Sequence, residues 1–160
     1  MGISTYTINS ELTDGMKVKV SDGRGHSIVI DEPENFGGSD EGMTPVEITL
    51  ASLAGCLSIT TVFLAKKMRI DVNSIEVEIE GDIDDKAMSS ADVYSGFQEV
   101  RFKYKIDSDA DKDKVEKLYK KIEDFCPVSD TLREAVNQSK DVVSAAKGKP
   151  RQGRKPKAKK

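Results

Sequence analysis

Two cysteines are the residues most able to do chemistry in this chain of 160 residues. Cys56 sits in a long uncharged apolar run, and Cys126 opens Cys126-Pro127-Val128-Ser129. They stand seventy residues apart, and neither belongs to a close Cys-Cys pair of the kind that binds metal. A thiol among apolar side chains becomes a weak acid, whereas one at a helix N-terminus gains from the free N–H groups and the macrodipole. On that argument alone Cys126 is the more acidic thiol. If the two segments meet in a core, the pair can do redox chemistry; otherwise each is a small core or capping residue.

Other candidates are fewer. Arg24 lies between Gly23 and Gly25 in a turn sequence, and a guanidinium can steady a thiolate. Glu47 stands three residues after Thr44 and suits a capping box. His26 is the single histidine, which argues against a zinc site and leaves a Cys-His dyad only to that one residue. No metal or cofactor is expected. The stretch Gly37 to Gly42 lacks the Gly-Lys-Ser/Thr ending of a phosphate loop, and its acids would repel phosphate.

The elements that must position these residues read as α+β. Met16 to Val20 and His26 to Ile30 alternate around a turn and predict a hairpin. Thr44-Pro45-Val46-Glu47 predicts a helix start, with the helix running to about Met68. Its apolar residues lie on all faces, so protein surrounds it, in part from a second subunit. Ile75 to Ile83 and Val100 to Ile106 alternate and predict paired strands, with a row of glutamates facing a row of bases. A helix follows from about Ala110 to Asp124, and another after Cys126. Val142 and Val143 suggest a short last strand.

Charge divides the chain. Net charge is −3, but the segment 148–160 holds seven basic residues and no acid, leaving −10 on the rest. We expect a folded domain over 1–147 and a basic disordered tail over 148–160. An acidic body is a poor platform for nucleic acid, and only the tail can supply weak phosphate contacts. The N-terminus has no secretory pattern, which predicts a cytoplasmic protein. Ile48 to Ala65 is uncharged but short and Thr/Ser-bearing for a membrane span, so a buried helix is expected and no membrane partner.

Taken together, Asp31-Glu32-Pro33, Gly37-Gly38, Thr44-Pro45-Val46-Glu47, Leu53-Ala54-Gly55-Cys56 and Cys126-Pro127-Val128-Ser129 resemble the OsmC/Ohr family. These are the osmotically inducible and organic hydroperoxide resistance proteins, and the resemblance runs from about Met16 to Ala145. It implies an OsmC-like fold, with antiparallel sheets around a long buried central helix in an intertwined homodimer. It also implies a thiol peroxidase that takes organic hydroperoxides and is restored by an external dithiol. Cys56 would be the peroxidatic cysteine and Cys126 the resolving one. Arg24 and Glu47 are the candidates for the arginine and glutamate that assist. The best-studied members carry that glutamate directly after the proline, where this chain has Val46. Pro-Val-Glu is the form of the broader OsmC-like subgroup. The alternative is a non-catalytic OsmC-like dimer that binds an apolar ligand or serves as a redox-sensing interaction protein.

Overall fold

The computed structural model describes residues 2–134. In chain order the elements are β1 (Asn9–Asp14), β2 (Lys17–Ser21), β3 (Ser27–Ile30), α1 (Pro45–Met68), β4 (Ser74–Asp82), β5 (Glu99–Asp107), α2 (Lys112–Phe125) and α3 (Pro127–Arg133). Short 3-10 turns at Glu34–Phe36 and Asp85–Met88 interrupt the two long loops. The expected strand at Val142–Val143 and the tail 148–160 lie outside the described residues.

α1 begins where its sequence predicts. Thr44 is extended and accepts from the Glu47 N–H at 3.3 Å, while the Glu47 carboxylate accepts from the Thr44 N–H at 2.8 Å. Two helix-end donors are thus satisfied reciprocally, and Pro45 costs no hydrogen bond at the first position. The helix stops at Arg69, whose left-handed backbone (φ 56°) turns its N–H onto the Ala65 and Lys66 carbonyls.

The core gathers on one side of α1. Leu53, Leu57 and Leu64 are buried there with Ile70, and with Leu118 and Ile122 of α2. The inner faces of β4 and β5 close over this cluster with Val77, Ile79, Phe102, Tyr104 and Ile106. Their outer faces carry the charge rows that the sequence predicts: Glu76 opposite Lys105, Glu78 opposite Lys103, Glu80 opposite Arg101. Arg101 also gathers Asp82 and Glu99. α1 is long and apolar enough to cross a membrane. In this fold it is a core helix instead, packed on α2, β4 and α3.

The predicted hairpin is β2 and β3, with Val18 opposite Ile30 and Val20 opposite Ile28. β1 pairs on the other edge of β2, and the sequence reading did not foresee it. All six of its residues are exposed. The loop that follows β3 is organised by Asp31, 1% exposed, whose carboxylate accepts from the N–H groups of Glu32, Ser39 and Glu41. Burial would raise its pKa, but these donors win and hold it below the usual carboxylate range. Gly38 passes so close to the Glu32 carbonyl that no side chain fits there. Among the described residues this N-terminal sheet makes no extensive packing with the helices or with β4 and β5. The far face of α1 is likewise open, with Ile59, Val62 and Phe63 exposed.

Candidate active site

The two thiols meet. Cys56 Sγ lies 3.0 Å from Cys126 Sγ, and both cysteines are free. Packing explains how residues so far apart in sequence arrive together. Leu53 and Leu57 seat the middle of α1 in the core, which brings Cys56 to its edge, partly exposed. Leu118 and Ile122, both fully buried, press α2 against α1. One turn beyond Ile122 the chain leaves α2 at Cys126 and enters α3 at Pro127.

Cys126 is extended (φ −91°, ψ 107°) and caps α3, with its sulfur accepting from the Ser129 N–H at 3.4 Å. The helix-start argument for an acidic Cys126 fails here. Its side chain is 0% exposed, and its pKa is pushed up to about 11. Burial is the larger cause, followed by its hydrogen bond to the Cys56 sulfur; the Ser129 N–H pulls the other way and loses. Cys126 is therefore a neutral thiol at pH 7, and Cys56 is the thiol with solvent access.

Arg24 and Glu47 are not brought to this pair within the described chain. Arg24 sits in the β2–β3 turn, 79% exposed, and its guanidinium bonds Asp22 at 2.8 Å. Glu47 serves the capping box; nine residues before Cys56, it lies about 180° around the helix and about 13.5 Å along it. Among the described residues no arginine or lysine hydrogen-bonds either sulfur. His26 is also absorbed by Asp22, at 2.8 Å.

Two neighbours escaped the sequence reading. Tyr104 buries its hydroxyl near Thr61 and the two thiols, and burial is the first cause of its raised pKa. An alternating strand shows only that residue 104 faces inward. Arg133 donates to Ser129 Oγ at 3.0 Å; its i, i+4 spacing from Ser129 was the available signal. Near the α2–α3 junction opens a cleft of about 440 Å³, whose wall mixes Leu53, Phe97 and Leu132 with Glu123, Ser129 and Arg133.

The family model for OsmC-like proteins matches residues 38–139, a span that contains both cysteines. The chain belongs to the OsmC-like family. Solved structures agree on the fold. An OsmC-like protein of Mycoplasma pneumoniae superposes with a TM-score of 0.72 at 20% identity, covering 82% of this chain and 89% of that one. An organic hydroperoxide resistance protein of Elizabethkingia anophelis gives 0.62 at 22% identity, covering 82% and 91%. One described as an organic hydroperoxide resistance protein OsmC and predicted redox protein, from Legionella pneumophila, gives 0.58 at 18%, covering 83% and 92%. At such identities the likeness carries the OsmC-like fold alone. A search of curated proteins finds no match.

Proposed function

We propose that this OsmC-like protein is a thiol peroxidase that reduces organic hydroperoxides. The observation that carries the proposal is the 3.0 Å approach of two free thiols from α1 and the α2–α3 junction. Cys56, the accessible thiol, attacks the terminal oxygen of the hydroperoxide as its thiolate. The S–O bond forms, the O–O bond breaks, and the alkoxide leaves as alcohol with a proton. Cys56 is now a sulfenic acid. Cys126 attacks its sulfur, the S–S bond forms, and the hydroxyl departs as water with the Cys126 proton. An external dithiol then reduces the disulfide by exchange and becomes a disulfide itself. The cleft near the α2–α3 junction, with Leu53, Phe97, Phe102 and Leu132 on part of its wall, has room for the organic group of a hydroperoxide.

The reading includes a homodimer. The N-terminal sheet stands off its own chain, and the open face of α1 exposes Ile59, Val62 and Phe63. An intertwined partner covers that face and carries Arg24 of one copy towards Cys56 of the other. The compartment that fits this chemistry is the cytoplasm, where dithiol reductants are at hand.

The test is thiol counting by mass spectrometry after one equivalent of cumene hydroperoxide. Loss of two protons in the wild type, with a trappable sulfenic acid on Cys56 in Cys126→Ser, supports the peroxidase. Two intact thiols sink it. One observation favours a second reading, a non-catalytic dimer that binds an apolar ligand in the cleft: no cation among the described residues bonds either sulfur. In that case Cys56→Ser leaves ligand binding intact.

A further inference from the structure

Three contacts converge on a side chain that the steps above do not use. Arg133, the last residue of α3, reaches back across the α2–α3 junction. Its Nη2 donates to the Glu123 carbonyl at 3.1 Å and to Ser129 Oγ at 3.0 Å, and its Nη1 lies 3.7 Å from the Asp130 carboxylate. Glu123 is in the last turn of α2, where carbonyls have no partner within the helix. Ser129 is 9% exposed, and its N–H is the donor on Cys126 Sγ. One guanidinium thus ties the end of α2 to the start of α3. Between them lies a single residue, Cys126.

Burial of Cys126 and the Asp130 N–H on its carbonyl also hold this junction, but among the described residues Arg133 is the one side chain hydrogen-bonded to both helices. Pro127 offers no N–H. The planar fork of arginine can hold a carbonyl and a hydroxyl at fixed angles, which an ammonium cannot.

We infer that Arg133 is a positioning residue for the resolving thiol: by clamping the α2–α3 junction it keeps Cys126 Sγ aimed at Cys56 and so sets the rate of disulfide closure. The inference rests on the peroxidatic and resolving roles proposed above. Arg133 bonds neither sulfur and supplies neither proton nor electron. It acts only on the approach of the Cys126 sulfur to the oxidised Cys56 sulfur, with water as the leaving molecule. A disulfide is about 2.04 Å long, so the resting pair needs to close by only about 1 Å. Misplacement on that scale can cost about a hundredfold in rate. Loss of the clamp should forfeit part of this, about tenfold.

The experiment is rapid-quench mass spectrometry on reduced wild type, Arg133→Ala, Arg133→Lys and Ser129→Ala. Each is mixed with cumene hydroperoxide and followed as Cys56 thiol, dimedone-trapped sulfenic acid, disulfide and sulfinic acid. Arg133 and Ser129 also line the cleft, so Cys56 oxidation is timed separately in each variant, and closure is expected to slow several-fold more than that first step. Closure should slow about tenfold in Arg133→Ala and less in Arg133→Lys. Ser129→Ala, which keeps the N–H but loses the hydroxyl, should also slow it. A longer-lived sulfenic acid meets a second hydroperoxide, so Cys56 sulfinic acid should appear at lower dose. Unchanged closure and unchanged sulfinic yield in folded Arg133→Ala would overturn the inference. So would equal slowing of Cys56 oxidation and closure, which marks a mere strut. If Arg133→Ala does not fold, Arg133→Lys and Ser129→Ala decide it by the same two rates. Closure is also timed with diamide, which one thiol attacks and the other displaces as the hydrazine. Slowing by diamide in a protein inert to hydroperoxide keeps the clamp and discards the peroxidase.

Discussion

Replacing each cysteine by serine in turn leaves one thiol whose exchange with a small aromatic disulfide can be timed. The thiol of Cys126 is pushed from an ordinary 9 to about 11, first by burial, which survives in Cys56→Ser, and then by the Cys56 sulfur, which does not. The full two decades would lower its thiolate fraction near neutral pH by about a hundredfold, so that figure is the upper bound in the variant. The weaker acid gives the better nucleophile, and a Brønsted slope of about 0.4–0.5 returns roughly eightfold. The net deficit from acidity is at most about tenfold, before steric cost. Cys126 has no exposed surface, so access adds to that deficit. Cys126→Ser, which retains the partly exposed Cys56, should therefore release the aromatic thiol faster than Cys56→Ser at pH 7.5, by about tenfold. Absorbance follows the release, and peptide mass spectrometry confirms the site. If Cys126 reacts as fast as Cys56 or faster, the ordering of the two thiols is wrong and so is the assignment of the first oxidation.

Ile122→Ala empties a fully buried position one turn before Cys126 and should cost about 2–5 kcal/mol in urea unfolding. Thr44→Ala removes the acceptor for the Glu47 N–H and one partner of the Glu47 carboxylate, and should cost about 1 kcal/mol by the same measurement. Because the folded state holds Cys126 protonated longer than the unfolded state does, the native chain binds more protons between about pH 9 and 11. The reduced protein should lose stability as pH rises through that window, and should keep the Cys126 contribution in full below it. Cys126→Ser should flatten this alkaline slope in pH-dependent urea melts.

The helix that carries Cys56 was legible to the residue, since Thr44, Pro45 and Glu47 are local signals whose meaning does not depend on the rest of the fold. The strands β4 and β5 were legible for the same reason, their alternation being unbroken on both sides. β1 was not: Asn9–Asp14 has one large apolar residue, Leu12, and pairs only because β2 offers it an edge. At the site, residue types showed that two thiols were present, but only packing decides that they touch. The acidity of Cys126 was misjudged because a helix start is a local feature and burial is not. Arg133 was passed over because its significance lies in what Ser129 does for Cys126, a relation that composition does not announce.

The charged rows on β4 and β5 have a consequence for alignment. Slide one strand past the other by two residues, so that Glu78 faces Lys105, Glu80 faces Lys103 and Asp82 faces Arg101. Three opposite charges still meet, as three do in the native pairing. The apolar face survives the slide too, because its period is two. Charge and polarity therefore choose the parity of the hairpin but not its alignment. The decision falls to Gly81, where a Cβ would strike the Phe97 ring. That missing methyl group is a notch, and the ring of Phe97 drops into it at one setting of the strands.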